Sequence, residues 1–69
     1  MEDNEVKHMT IQEQTKKTLH EIGIPATIFC RKMQISTAAY YRWLHGDLKL
    51  SAEKEQNIRN YIYKLADLL

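Results

Sequence analysis

The most constraining feature of this chain is a set of helix-breaking residues that divides positions 23–51 into short segments. Gly23 and Pro25 stand at its start and Gly46 stands near its end. Glycine readily adopts the left-handed conformation that ends a helix, whereas proline suits the first turn, where its missing N–H would be unpaired anyway. The stretch therefore predicts two short helices joined by a tight turn, the first starting at Pro25 and the second capped by Ser36 and ended by Gly46.

Two further helices flank this stretch. Thr10 followed by Glu13 is a capping box, which predicts the start of a first helix. Ser51 caps a last helix, in which apolar residues recur at helical spacing to the end of the chain. No alternating run or hairpin dipeptide indicates a strand. The sequence predicts an all-α protein, with a compact four-helix domain over residues 10–69 after a flexible acidic tail over residues 1–9.

Helical phase also predicts the core of this domain. In the first helix, the stripe that runs from Ile11 to Ile22 has Lys16 and His20 on the opposite side. Cys30 occupies a core position that suits a small residue. The most buried residues should be Ile22, Phe29, Met33, Ile35, Tyr40, Trp43, Leu44, Ile58, Ile62 and Leu65.

The length of the chain limits its chemistry. Sixty-nine residues make one domain, near the size at which a single core gives only marginal stability. They leave no room for a helical core and a roomy catalytic pocket together. No catalytic triad, phosphate loop or paired-carboxylate pocket is evident in the sequence. We therefore expect that the protein is not an enzyme. The histidines and Cys30 form no tight ligand pair, and we expect no metal or cofactor.

Cysteine usage and hydropathy bear on the compartment. The lone Cys30 cannot form an internal disulfide, which suits a reducing environment. No apolar run approaches the roughly 20 residues that span a bilayer, and the acidic start is unlike a signal peptide. We therefore expect a cytoplasmic protein with no membrane partner.

The net charge of +1 is weak for a nucleic-acid binder, but it is unevenly distributed. Residues 1–8 carry a net charge of −2, residues 9–50 carry +3, and residues 51–69 balance at zero. The modest basic excess therefore coincides with the part of the chain that contains the two short central helices.

The helix predicted around residues 36–45 has two different faces. At 100° per residue, Tyr40, Trp43 and Leu44 point inward. The opposite face carries Ala38, Tyr41, Arg42 and His45, with Thr37 at the exposed tip. A helix in a DNA major groove needs small residues near the bases and long donors further along, and an arginine such as Arg42 can donate two hydrogen bonds to guanine. A solvated polar face is the alternative interpretation.

A resemblance to a known family lies in the segment GIPATIFCRKMQIS followed by TAAYYRWLHGDLKLS. Over about residues 10–65 the chain is similar to the lambda-repressor-like (Cro/C1, XRE) helix-turn-helix domain. The residues that carry the resemblance are Phe29, Cys30, Met33, Ile35, Tyr40, Trp43 and Gly46. The resemblance implies a sequence-specific regulator of transcription that binds double-stranded DNA, of the kind that phages and mobile elements carry, with its third helix in the major groove.

The resemblance also implies a set of DNA contacts. Thr37, Ala38 and Arg42 would face bases. Ser36 and His45 would contact or approach phosphates. The full set comprises Ser36, Thr37, Ala38, Tyr41, Arg42 and His45, with Lys32 and Lys49 holding phosphates on either side. Most members bind as dimers to two half-sites roughly 34–36 Å apart.

Some residues depart from the family pattern. Gln34 stands where the family has a turn glycine, so it must tolerate a left-handed conformation at a cost of about 1 kcal/mol. Pro25 and Ala26 replace the usual polar cap and glutamine at the start of the second helix, which removes a frequent phosphate contact. Ala38 offers no hydrogen bond to a base.

The last helix carries an apolar stripe wider than a domain of this size can cover. We therefore expect a symmetric homodimer, because such a surface would otherwise face water. Its interface would comprise Tyr61, Leu65, Leu68 and Leu69. The alternative is a helix that packs wholly within its own domain.

Ile28 points about 160° away from the apolar centre of the second helix. A single exposed aliphatic residue is ordinary on protein surfaces. Together with Tyr41 and the nearly neutral charge, Ile28 also indicates an alternative function. In that alternative, a helix-turn-helix fold binds a protein partner as an inhibitor or antirepressor.

Overall fold

Residues 9–69 of the chain are described by a computed structural model, and they form four α-helices. The helices are α1 (Ile11–Ile22), α2 (Ala26–Met33), α3 (Thr37–Leu44) and α4 (Ala52–Ala66). No strand occurs within residues 9–69, and the all-α class is confirmed. The acidic tail expected over residues 1–9 lies, apart from Met9, outside the described residues.

Among these four helices, none combines the length and the apolar character needed to cross a membrane.

Polar side chains cap three of the helices as the sequence predicts. Thr10 Oγ1 accepts a hydrogen bond from the Glu13 amide at 3.1 Å, and the Glu13 carboxylate accepts one from the Thr10 amide at 3.0 Å. The backbone bond from Thr10 and then the side-chain bond lower the pKa of the Glu13 carboxyl, because they stabilise its charged form. Ser36 and Ser51 accept from the amides three residues later, at 3.0 and 3.2 Å. Each cap of this kind contributes about 1 kcal/mol.

Helix α2 starts one residue later than the sequence predicts. Pro25 is its N-cap rather than its first helical residue, because its backbone is extended, with ψ at 147°. The Pro25 carbonyl accepts from the amides of Ile28 and Phe29 at 3.1 and 3.2 Å. A proline at the cap leaves α2 without a side-chain acceptor for its first amides.

Three of the helices end in the same left-handed turn. The residues with positive φ are Gly23 at 89°, Gln34 at 60° and Gly46 at 83°. After each, an amide reaches back to a carbonyl in the last turn of the helix, which is the Schellman arrangement. These hydrogen bonds join Ile24 N to Leu19 O at 2.9 Å, Ile35 N to Cys30 O at 3.0 Å and Asp47 N to Arg42 O at 2.8 Å. The left-handed conformation expected of Gln34 is confirmed.

All four helices contribute to one core. α1 packs against α4 and α3, and α2 packs against α3 and α4. The buried apolar residues are Ile11, Leu19, Phe29, Cys30, Tyr40, Trp43, Ile58 and Ile62. The Phe29 ring lies near its centre, with centroids 5.4 Å from Tyr40 and 6.0 Å from Tyr61. Full burial of each large side chain contributes about 1.5–3 kcal/mol.

Half of the expected core set is less buried than predicted. Phe29, Tyr40, Trp43, Ile58 and Ile62 are buried, but the other members are only half-buried. The half-buried members are Ile22, Met33, Ile35, Leu44 and Leu65. All five lie at or near the end of a helix, where fewer elements pack around a side chain. By contrast, α1 packs against α3 and α4, and Ile11, Thr15, Thr18 and Leu19 of its inward stripe are buried.

Candidate nucleic-acid interface

The outer face of α3, defined by Thr37, Ala38, Tyr41, Arg42 and His45, is exposed as predicted. Residues four apart lie above one another on a helix, so Thr37 and Tyr41 form one row and Ala38 and Arg42 the next. His45 follows directly as the C-cap, with its backbone still in the helical region. The small residues lie at the start of the helix and the long polar ones follow. All five side chains are therefore available on one surface.

The inner face of α3 holds this surface in place. Tyr40 is 3% exposed and Trp43 is fully buried. Their ring centroids lie 6.3 Å apart, and the Tyr40 ring also meets the Tyr41 ring edge-on at 5.2 Å. Burial, with smaller contributions from Cys30 and Tyr41, raises the pKa of Tyr40 to about 12. The inner face is thus uncharged and closely packed, while Tyr41 connects it to the outer face.

Ser36 has a structural role before any other. Its hydroxyl oxygen accepts the hydrogen bond from Ala39 N and so starts α3. A hydroxyl group keeps its own proton as a donor while its oxygen accepts. Ser36 is exposed, so that proton remains available to a phosphate oxygen.

The structure brings Lys16, which sequence reasoning did not assign to the site, next to α3. An open hollow of about 250 Å³ between α1 and α3 is lined by Lys16, Tyr41 and His45, among others. A neighbouring hollow of about 200 Å³ also includes Lys16 and Tyr41. The sequence places Lys16 on the polar side of α1 but cannot show that α1 passes beside α3.

Lys32 and Lys49, which were expected to hold phosphates on either side, are exposed. Neither of them lines the hollows that Tyr41 lines on the outer face of α3. The Lys32 ammonium lies 5.6 Å from the centroid of the Tyr61 ring, a cation–π arrangement that directs it toward α4. Lys49 borders a separate hollow of about 380 Å³, together with Trp43, Leu48 and other residues. Arg42 lies on the outer face of α3 itself, and Lys16 shares a hollow with Tyr41 and His45.

A contact between distant residues joins α4 to the turn before α3. The Lys54 ammonium donates to the Met33 carbonyl at 2.8 Å and to the Gln34 carbonyl at 3.2 Å. No sequence pattern indicates this contact, because Lys54 follows these residues by about twenty positions in the chain. It fixes the backbone that leads into α3.

The apolar residues expected at a dimer interface fall into two groups. Tyr61 and Leu65 are half-buried and pack against the core of their own domain. Leu68 and Leu69 follow the end of α4 at Ala66 and are 77% and 66% exposed. Only the second pair is largely free to contact another molecule.

Ile28 and Tyr41 are also exposed apolar residues, at 46% and 50%. The position predicted for Ile28, away from the core side of α2, is confirmed. The two residues lie on different helices and form no common hollow among those described.

Some polar groups lie in the interior of the domain. Thr15 Oγ1 and the Trp43 indole nitrogen are buried and have no hydrogen-bond partner within the described residues. Cys30 is a buried free cysteine, and burial raises the pKa of its thiol, which favours the neutral form. Within residues 9–69, no group of three or more His, Cys, Asp or Glu side chains is arranged to hold a metal ion.

Comparisons of the chain with protein-family models, with curated proteins and with solved structures found no match. Function must therefore be inferred from the residues themselves and from their geometry.

Proposed function

We propose that the chain is a sequence-specific, double-stranded DNA-binding regulator of transcription. In this proposal α2, the turn at residues 34–36 and α3 form a lambda-repressor-like helix-turn-helix, and α3 enters the major groove. The proposal is supported above all by the two faces of α3, because the inner face is aromatic and closely packed whereas the outer face, which includes Arg42, is exposed. A major groove admits one α-helix, and a firmly anchored helix can present side chains to base edges.

Each residue of the outer face has a role that follows from its chemistry. Arg42 donates two hydrogen bonds to guanine, while Thr37 and Ala38 lie where the helix comes closest to the bases. The exposed hydroxyl of Ser36 and the His45 ring donate to phosphates, which fixes the register without reading sequence. Tyr41 contacts the backbone or a thymine methyl group from the same row.

Charge sets the expected strength of binding. Lys16 lies beside Tyr41 and His45 and extends the cationic surface, and Lys32 and Lys49 add weaker, peripheral phosphate contacts. Each neutralised phosphate contributes about −0.9 to the slope of log affinity against log salt. With so few cations, sequence-independent binding should be weak, and specificity must come from base contacts.

A homodimer suits this function, because paired half-sites roughly one helical turn apart mirror a twofold axis. Leu68 and Leu69 support it through their exposure, with Tyr61 and Leu65 behind them at the domain surface. Sedimentation at micromolar concentration should show a species heavier than the 8.2 kDa monomer. A single species at the monomer mass would contradict the dimer. The buried free thiol of Cys30 suits a cytoplasmic location.

The decisive experiment is selection of bound duplexes from a random DNA pool. A regulator of this type should enrich one motif, and a dimer should enrich a palindrome. Affinity for the recovered duplex should fall as salt rises, because phosphate contacts release counterions. Failure to enrich any motif, together with weak and salt-independent binding, would refute the proposal.

The second candidate is a helix-turn-helix fold that binds a protein, as an inhibitor or antirepressor. The exposure of Ile28 and Tyr41 favours it, as does the net charge of +1. The same salt titration separates the two candidates. A protein-binding module would bind duplex DNA weakly whether or not Arg42 is present.

A further inference from the structure

The contact made by Lys54 lies at the junction between α2 and α3. Its ammonium donates to the Met33 and Gln34 carbonyls, and its side chain is partly buried there. The Met33 carbonyl belongs to the peptide group before the left-handed residue Gln34, and the Gln34 carbonyl belongs to the peptide group after it. The contact therefore holds both peptide planes of the turn.

The geometry of α4 directs Lys54 to this place. Ser51 accepts a hydrogen bond from the Lys54 amide at 3.2 Å, which fixes the first turn of α4 and the direction of the side chain. The C-terminal end of α2 carries partial negative charge from carbonyls that have no helical partner. The amides of Gln34 and Ile35 bond the carbonyls of Arg31 and Cys30, so neither bonds the Met33 carbonyl, which accepts from the ammonium instead.

Within the described part of the chain, no carboxylate forms an ion pair with this ammonium. The single ion pair recorded within residues 9–69 joins Arg59 to Glu55 at 3.4 Å. Among residues 9–69, the charge of Lys54 is thus matched by backbone carbonyls, and its bond to Met33 is partly buried, where such a bond is stronger than at the surface.

Comparison with the other two left-handed turns indicates why the contact is needed. Gly23 and Gly46 adopt positive φ with little strain, and no side chain within the described residues bonds a carbonyl at either turn. Gln34 has a Cβ, so the same backbone conformation costs about 1 kcal/mol of conformational free energy there. The two hydrogen bonds from Lys54 offset that cost at the turn that leads into α3.

We propose that Lys54 is a positioning residue that locks the α2–α3 turn and thereby fixes the orientation in which α3 meets DNA. This inference rests on the proposed function. A bidentate base contact requires its side chain to be held within about 0.5 Å, whereas a phosphate contact tolerates more movement. Loss of the lock should therefore reduce sequence-specific binding more than sequence-independent binding. Because the ammonium bonds the protein itself, it should add nothing to the salt dependence.

The test compares Lys54→Met, which keeps most of the apolar stem and removes the charge, with Lys54→Arg, which restores donors. Lys64→Met, at an exposed lysine of the same helix, is the matched control. Affinities are measured at several salt concentrations for a duplex recovered by the wild-type chain from a random pool and for a shuffled duplex. Lys54→Met should lose about tenfold on the recovered duplex, the value of one good base contact, and less than about twofold on the shuffled one. Lys54→Arg should recover most of the loss, and the salt slope should not change.

Other results would overturn the proposal. Equal losses on both duplexes, with a salt slope reduced by about one, would identify Lys54 as a phosphate contact. A lower melting temperature with an unchanged ratio of the two affinities would mean that the contact stabilises the fold without orienting α3.

If the wild-type chain shows no salt-dependent binding to any duplex, the proposed function fails, and the lock is tested without DNA. The Ile35 amide bonds the Cys30 carbonyl within the same turn. Its hydrogen exchange should be faster in Lys54→Met than in the wild type or in Lys64→Met, since the turn opens more often. Equal exchange rates would show that there is no lock.

Discussion

The two faces of α3 differ sharply in burial, although the helix has only 8 residues. Tyr40 and Trp43 on the inner face are almost completely buried, whereas Tyr41 and Arg42, next to them in the chain, are exposed. Folding constrains the inner face through packing and leaves the outer face unconstrained. Stability and binding can therefore be altered separately in one short helix.

The largest effect is expected from Trp43→Ala. Removing a fully buried indole leaves a cavity in the core, and the free energy of unfolding should fall by about 3–5 kcal/mol. This is a large part of the stability of a domain this small. Arg42→Ala on the outer face should change it by less than about 0.5 kcal/mol. Denaturant titration measures both, and a Trp43→Ala variant that melts cooperatively within a few degrees of the parent would contradict the packing.

A smaller effect on the inner face is expected at alkaline pH. In the folded chain the pKa of Tyr40 is raised to about 12, whereas in the unfolded chain the tyrosine has its ordinary pKa of 10.0. The unfolded state therefore binds fewer protons in this range, so the contribution of Tyr40 is complete below pH 10 and is lost as pH rises toward 12.

Tyr40→Phe should remove this part of the pH dependence of unfolding, measured by denaturant midpoints across the same range. Tyr63→Phe, which removes the same hydroxyl group from an exposed side chain, is the matched control. A steep alkaline loss that persists in Tyr40→Phe would assign the titration to another group.

On the outer face, Arg42→Ala should weaken binding to a recovered cognate duplex by about 1–3 kcal/mol and relax the preference at one base pair. Lys49→Ala should weaken binding to all duplexes alike and flatten the salt slope by about one unit. Gel shifts at two salt concentrations measure both. Equal, sequence-independent losses would mean that α3 does not read bases, and the protein-binding alternative would be favoured.

The smallest effect is expected at the two turns that flank α3. Gln34→Gly should relieve the left-handed strain and raise the free energy of unfolding by up to about 1 kcal/mol. Gly46→Ala should lower it by about 1 kcal/mol, and this cost is conformational, because a Cβ at Gly46 would meet no atom within 4 Å. Thermal unfolding compares the two. A loss of stability in Gln34→Gly would show that its side chain contributes more than its backbone costs.

Local signals in the sequence predict the helices and their ends well. The Thr10–Glu13 capping box and the serine caps occur where they are expected. These features depend on hydrogen bonds among residues within a few positions of one another, so no knowledge of distant contacts is needed. The exposed side of α3 is equally local, because helical periodicity separates the two faces.

Burial at the helix ends could not be predicted in the same way. Periodicity assigns Ile22 and Leu65 to the apolar side of their helices, but it does not show which turns the neighbouring helices cover. α1 packs against α3 and α4 along a stripe that begins at its first residue, Ile11, whereas Ile22 and Leu65 near the last residues of their helices are left half-buried.

The sequence by itself determined four helices, three of them capped by polar side chains, and an α3 with one apolar and one polar face, because caps, breakers and periodicity act over a single helical turn. Only the tertiary structure decided that Lys16 lies beside Tyr41 and that Lys54 bonds the turn before α3. Those contacts depend on where helices distant in the chain cross one another. That crossing is a property of the whole core, since it results from the packing of all four helices together.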